Sequence, residues 1–329
     1  MSSPVNVLVT GVGAIIGQGI VKGLRAAGHS TRVFGVDRSD QSPGPYLCDA
    51  FRKKPPVEES SREYLDFWRE FISFHSIDLI LPGIESDVLF FNEHRSEISA
   101  AGSRLAINTP ELISLCADKW AFGETLAAHG LPRIPTTLTT NWQEAQVALG
   151  APPLILKPRS GNGSRGIARV FDEQDFDYWR AKAGHNWMLQ RLIGTDDEEY
   201  TVGAFGLGNG FAISPIVFRR RLSAAGSTQS AEVIHDESIL AATAQICLAF
   251  EPVGPTNLQF RKHEGECYLL EINPRFSSSA SLRSAFGYNE AEMSLDYFYF
   301  GRPPKPPVLR RGKAWRFSED FVKYDRDTV

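Results

Sequence analysis

The run GPTNLQFRKHEGECYLLEINPRFSSSA (254–280) gathers oxygen side chains on two strand-like segments. Residues two apart in an extended chain share a face, which puts Asn257 beside Gln259 and Glu271 beside Asn273. One carboxylate among amide oxygens suits magnesium, which takes few protein ligands and completes its shell with water and phosphate oxygens. Arg275, two residues beyond Asn273, could stabilise negative charge on a transferring phosphoryl group or an acyl intermediate. A second cationic group, RRR at 219–221, ends another strand-like run. One or two of these arginines could grip a carboxylate or phosphate bidentately, the competing reading being a basic strand end in solvent. Glu85 and Asp87, in PGIESD, follow a strand on the edge where open α/β sheets bind ligands; they would orient an amine or cap the next helix.

A different chemistry is suggested at the start of the chain. VLVTGVGAIIGQGIVKGLRAAG (7–28) places Gly11, Gly13 and Gly17 in a GxGxxxG spacing, and Asp37 ends the next strand where a ribose-binding acid sits in NAD enzymes. The stretch resembles the short-chain dehydrogenases, and a Tyr-x-x-x-Lys pair exists in Tyr178 and Lys182. This oxidoreductase reading leaves the carboxy-terminal third without a purpose. No Cys-His or Ser-His-Asp constellation offers a nucleophile.

The elements that would position these groups follow from periodicity. VNVLVT (5–10), RVFGVD (32–37) and DLILPG (78–83) read as strands separated by helices at 16–28 and 62–75, a parallel doubly wound unit ending near 106–110. PLILKP (153–158) and IARVF (167–171) flank the glycine-rich turn SGNGSRG (160–166) and read as an antiparallel pair joined by a flap. EEYTVGAFG, GFAISPIVFRRR, GPTNLQFRK and ECYLLEINPRF supply further strands, with a helix near 237–250. RPPKPPVLRRG (302–312) reads as an extended surface arm.

With 329 residues, 42% hydrophobic and 22% charged, the chain has the balance of a folded protein of two or three units. A formal charge of −4 without like-charge blocks gives no general attraction to nucleic acid or membrane, so phosphate binding must be local. Cys48, Cys116, Cys247 and Cys267 lie far apart, and no apolar run is long enough to span a bilayer, which sets the expectation of a cytoplasmic protein.

Taken in order, ADK (117–119), LILKP with its flap, MLQRLIG before EEYTV, and NLQF before LLEINPR resemble the ATP-grasp superfamily of carboxylate-amine ligases. The metal strand is similar to that of the carbamoyl-phosphate synthetase large chain. The resemblance implies an α/β chain with an α+β carboxy-terminal part: a Rossmann-like domain over 1–110, a small grasp subdomain over 111–188 and a large one over 189–329. It implies that Lys119 and Lys157 hold nucleotide phosphates and that Ser160, Gly161, Gly163 and Gly166 close over them. Gln190, Arg191, Leu192 and Ile193 would meet the adenine, and Glu199, with Glu198 as rival, the ribose. Gln259, Glu271 and Asn273 would bind Mg2+, with Mn2+ able to substitute, while Arg275 and Lys157 act in catalysis. Arg219, Arg221, Ser278 and Glu85 are the candidates for substrate contact. The implied reaction uses ATP to phosphorylate a small carboxylate, such as an amino acid, and couples it to an amine. A carbamoyl-phosphate-forming or other phosphoryl transferase and a nucleotide-binding regulator are the alternatives, and the resemblance leaves a homodimer open, since members are often dimers.

Overall fold

The computed structural model describes residues 3–161, 166–224 and 226–324. Its first sheet comprises β1 (Val5–Thr10), β2 (Thr31–Asp37), β3 (Ala50–Lys53), β4 (Leu79–Leu81) and β5 (Arg104–Leu105). They run parallel in the order β3-β2-β1-β4-β5, the doubly wound arrangement that the alternation of strands and helices leads one to expect. Apolar residues on both faces of β1 are buried, as helices cover a parallel sheet on both sides. The helices used below are α1 (Ile15–Ala26), α2 (Gly44–Leu47), α3 (Arg62–His75) and α4 (Glu85–Glu93). Ser61 caps α3 by accepting from the Tyr64 N–H, and Tyr64, Leu65, Trp68, Phe71 and Ile72 then fall on one buried stripe.

The glycines of α1 serve close packing. A Cβ at Gly17 would meet the Gly11 carbonyl oxygen at 2.2 Å, and one at Gly23 would meet Asn289 Oδ1 at 2.8 Å. This glycine face lets α1 lie against its own strand and against the helices Ala280–Ala285 and Glu290–Ser294 of the distant carboxy-terminal part.

A four-stranded antiparallel sheet follows: β6 (Thr136–Thr137), β7 (Leu154–Lys157), β8 (Ala168–Val170) and β9 (Met188–Arg191), in the order β6-β9-β7-β8. Leu154 and Leu156 enter a core with Trp142, Phe176 and Trp187, so period-2 alternation sends Ile155 and Lys157 to the opposite face. The remaining strands are β10 (Glu199–Leu207), β11 (Ala212–Leu222), β12 (Thr228–Ile234), β13 (Val253–His263), β14 (Glu266–Asn273) and β15 (Lys313–Trp315). They form a six-stranded sheet ordered β14-β13-β10-β11-β12-β15. Tyr200, Val202, Val217, Leu258 and Phe260 pack on the helix Glu237–Phe250 from one face; the other face buries Phe205, Ile216 and Phe218 against Tyr288 and Met293 at one end and is polar at the other. The proline-rich run 302–312 is extended and largely exposed, as expected, and leads into β15, which pairs antiparallel with β12; Phe321 then stacks on Tyr46 at 5.2 Å between ring centroids.

On that polar face the Arg283–Glu290 pair is sealed from solvent. Arg283 also donates to Thr201 Oγ1 at 2.9 Å and to Asn257 Oδ1 at 2.5 Å. It fits because Gly203 lacks a side chain: a Cβ there would lie 2.9 Å from Arg283 Cδ. Glu290→Gln would leave a buried guanidinium without its counter-charge, and is expected to destabilise the fold by about 3–5 kcal/mol. Urea unfolding checks this; a loss under about 1 kcal/mol would show that Thr201 and Asn257 suffice to neutralise the cost.

Candidate active site

A cleft of about 660 Å³ lies between the four- and six-stranded sheets and reaches the carboxyl ends of β1 and β4. Strand register decides what faces it. Thr201 lies opposite Gln259 and Glu199 opposite Arg261, while Gln259 opposes Glu271 and Asn257 opposes Asn273. Tyr200 opposes Arg219, so Arg220 shares the face of Glu199. Of the three consecutive arginines, only Arg220 therefore lines the cleft. Arg219 and Arg221, the sequence-based choices for substrate contact, point outward and pair with Glu232 and Asp197 at 2.6 and 2.7 Å.

Glu199 is buried, accepting from Arg220 Nη2 at 2.8 Å and from Arg261 Nη2 at 3.2 Å. A ribose hydroxyl at this carboxylate would share it with two guanidinium groups. Glu198 sits in an exposed turn, does not line the cleft, and accepts from Thr195 Oγ1 at 3.4 Å. Arg220 also donates to Gln259 Oε1 at 2.7 Å. Gln259 Nε2 and Asn273 Nδ2 both donate to Glu271 Oε1, at 2.6 and 2.8 Å. The amide groups thus fill the position beside the carboxylate where a cation would sit. Among the described residues no three His, Cys, Asp or Glu side chains converge as a metal cluster. A single carboxylate with two amides is a sparse, hard donor set that fits magnesium beside phosphate oxygens.

Across the cleft, Lys157 projects from β7, and burial, reinforced by Lys119 and Arg261 and opposed by Glu271, lowers its pKa to about 8. Lys119 opens the helix Lys119–Ala128, which Asp118 caps through the Trp120 and Ala121 N–H groups. Its Nζ donates to the Gly161 carbonyl at 2.6 Å, joining that helix to the first residues of the flap. Ser160 is bonded to Asn186 at 3.1 Å and does not line the cleft. Gly166 packs on Pro158 with φ +75°, and Gly163 lies outside the described residues. Gln190, Arg191, Leu192 and Ile193 line the other end. Gln190 donates to Thr136 Oγ1 at 2.9 Å, and the Arg191 guanidinium turns to the Leu149 carbonyl at 2.6 Å.

Arg275 joins this sheet to the first domain: Nη2 donates to Glu85 Oε2 and to Asn273 Oδ1, both at 3.0 Å, and Nη1 to the Phe276 carbonyl. Ser278 also lines the cleft, and its carbonyl accepts from Arg316. Asp87 does not reach it; the side chain is buried in an ion pair with Lys54, whose Nζ lies 5.5 Å from the Trp68 ring centre. Cys116 is a wall residue whose thiol burial pushes up, with Glu271 and Glu85 adding to the shift, so it stays protonated.

The dinucleotide reading fails on this geometry. Asp37 Oδ2 accepts from Gly13 N at 2.8 Å, and the loop bearing Ser42 and Gly44 lies against Val12 and Gly13, filling the space over the turn. Tyr178 and Lys182 sit on the exposed helix Glu173–Ala183 behind the four-stranded sheet, the amine 4.5 Å from the phenol ring centre.

An antiparallel pair of sheets closing on such a cleft, behind a doubly wound domain, is the architecture of the ATP-grasp enzymes. Residues 185–316 match the family described as ATP-grasp in the biosynthetic pathway with Ter operon, and residues 7–106 match the PylC-like N-terminal domain. The chain thus carries an ATP-grasp domain behind a PylC-like amino-terminal domain. It is 29% identical over 195 residues to the carbamoyl phosphate synthase large chain of Mycobacterium sp. (strain JLS), an alignment covering 55% of this chain but 17% of that one. It is 25% identical over 248 residues to the C-terminal section of that enzyme from Aquifex aeolicus, covering 68% of this chain and 45% of the other. The chain therefore corresponds to only a fraction of these relatives' length. Its fold is similar to N5-carboxyaminoimidazole synthetase from Staphylococcus aureus complexed with ADP (TM-score 0.72, 16% identity, 94% of this chain and 81% of that one). It is also similar to the L-amino acid ligase of Bacillus licheniformis (TM-score 0.68, 15% identity, 94% and 76%).

Sequence reasoning left Arg220 as one of three open choices and passed over Arg261. Arg261 is two residues from Gln259, the same alternation that grouped the oxygen donors, whereas Arg220 required knowing its register against β10. The position of Lys157 is testable without any ligand. Its amine should acylate with a midpoint near pH 8, below the usual range near 10.4 of exposed lysines. Peptide mass spectrometry across a pH series reads this out; a midpoint above about 10 would place the amine in solvent.

Proposed function

We propose that the protein is an ADP-forming ligase that phosphorylates a small carboxylate from ATP and joins the product to an amine. The observation that carries this reading is the charge of the cleft. Among the described residues, seven Lys or Arg and three Glu line it, on a chain whose formal charge is −4. Such a pocket favours a polyanion. Lys119 and Lys157 would hold phosphates, with the flap residues Ser160, Gly161, Gly163 and Gly166 over them. Gln190 through Ile193 would meet the base, and Glu199 the ribose. Mg2+, or Mn2+ in its place, would be held by Glu271 with the amide oxygens of Gln259 and Asn273, and would neutralise phosphate charge.

Arg275 is the group at the junction of this anion site and the first domain, where it can hold a carboxylate and offset the charge that grows on phosphoryl transfer. The acyl phosphate so formed needs an amine and a dry cleft, which closure of the flap would supply. The reading divides the chain near residues 110 and 188, and places the reaction in a reducing, ATP-supplied compartment such as the cytoplasm, where all four cysteines remain free. Similarity to carbamoyl phosphate synthases supports a second reading, a carbamoyl-phosphate-forming phosphoryl transfer.

ADP release measured across amino acids, paired amines and bicarbonate separates the two. Glu271→Gln should reduce release by about 10²–10³-fold, the scale of losing one electrostatic stabiliser; unchanged turnover would remove the site assignment. Lys157 adds a pH signature. Its amine titrates near 8 in the free protein and phosphate favours the charged form, so ATP affinity should fall as pH rises through 8. Above pH 8 binding should take up as much as one proton, and below it none, as calorimetry in buffers of different ionisation enthalpy would show.

A further inference from the structure

The order β3-β2-β1-β4-β5 makes β1 and β4 the neighbours from which the chain departs in opposite directions, toward β2 and toward β5. The crevice beyond the carboxyl ends of such a pair is where open α/β sheets bind ligands. Here it opens into the cleft. Ile15 begins α1 on one side of it and Glu85 begins α4 on the other, and Arg275 reaches in from the end of β14 to pair with Glu85 at 3.0 Å. Both charged side chains remain accessible, Arg275 at 15% and Glu85 at 30%.

We infer that this crevice seats an α-amino acid with an apolar side chain, its carboxylate on Arg275 and its ammonium on Glu85. The inference rests on the ligase reading above and narrows its carboxylate. An accessible ion pair presents two opposite charges side by side, and one carbon separates the two charges of an α-amino acid. Laid antiparallel to the pair, the zwitterion meets an opposite charge at each end and leaves the Arg275–Glu85 contact intact. A carboxylate without the amine finds the same arginine but sets its charge against Glu85, and like-charge juxtaposition disfavours it. The charge arrangement of the crevice is thus selective as well as attractive.

The surroundings give the side chain its class. Val88 and Leu89 follow Glu85 by three and four residues, on the same side of α4. Both line the cleft, as do Ile15 and Ile16 at the start of α1. Ile15 is 38% and Leu89 43% exposed, large aliphatic groups that an apolar ligand would cover. Lys54 and Asp87, the nearby charges on this side of the domain, are sealed in their own pair and leave the aliphatic wall uncharged.

Calorimetric binding to the full chain with magnesium and a non-hydrolysable ATP analogue tests this independently of turnover. Leucine should bind at least about 100-fold more tightly than 4-methylpentanoate, the same skeleton without the amine, and well ahead of aspartate or lysine. Glu85→Gln should bring leucine within about 10-fold of 4-methylpentanoate, whereas Glu85→Asp should keep most of the preference. Leu89→Ala should weaken leucine but not alanine. ATP-analogue affinity serves as the control for folding and should not change in any of the three. Equal binding of the two acids by the unsubstituted protein, or a ratio unmoved by Glu85→Gln, would overturn the inference. Selective leucine binding without ADP release under any amine would instead overturn the ligase reading and leave the amino-acid site standing.

Discussion

The polar floor of the cleft depends on how the strands of the six-stranded sheet divide their side chains between its two faces. Four of its strands, β14, β13, β10 and β11, run antiparallel and send apolar residues into the core beneath the helix Glu237–Phe250. Alternation then sends Glu199, Arg220, Gln259 and Arg261 to the opposite face, and a bulge between Leu269 and Glu271 brings Glu271 to the same side. A slip of one residue in any of these pairings would bury charge in the core and place leucine in the active site. The buried charges are tolerable because each meets a partner: Glu199 lies between Arg220 and Arg261, and Glu271 accepts from two amides. Burial lowers the Arg220 pKa while Glu199 opposes the shift, the expected balance for a guanidinium withdrawn from water beside a carboxylate.

The same sheet also fixes how the first domain meets the rest. Arg283, anchored on Glu290, Thr201 and Asn257, holds the helix Ala280–Ala285 on the polar face of β10 and β13. That helix and Glu290–Ser294 present the surface on which α1 rests, and α1 comes this close because glycine occupies positions 19 and 23, where a Cβ would meet Ser281 N at 3.2 Å and Asn289 Oδ1 at 2.8 Å. The chain Glu290–Arg283–Asn257 thereby ties the placement of the domain carrying Glu85 to the strand carrying Gln259. A contact such as Arg275–Glu85, between residues 190 positions apart, is the product of that docking.

Legibility in the sequence followed the range of the interaction. Local alternation sufficed for the parallel unit, for the antiparallel pair flanking the flap, and for the grouping of Gln259 with Asn257 and of Glu271 with Asn273. The GxGxxxG spacing was ambiguous because a helix that must approach a strand and a helix that must approach a pyrophosphate both exclude a Cβ. Only Ser42 and Gly44, packed on the turn, and Asp37, bonded to Gly13, decide between them. Choosing among Arg219, Arg220 and Arg221 required cross-strand register, which no single strand encodes. β15 escaped notice for a related reason: three residues carry no periodicity, and the strand exists because β12 offers an open edge.

These ranges also explain why substrate identity is harder to read than nucleotide chemistry. The groups proposed for phosphate and metal lie close to recognisable strands and turns, so Lys119, Lys157 and Glu271 announce themselves by their neighbours in the chain. The crevice between β1 and β4 is assembled from three separate stretches, around Ile15, Glu85 and Arg275, none of which is unusual alone. Apolar Ile15 and Leu89 would pass as ordinary helix residues, and Glu85 as a first-turn acid favourable to the dipole of α4. Their meaning comes from being left half-exposed around an ion pair at the point where the sheet reverses its winding.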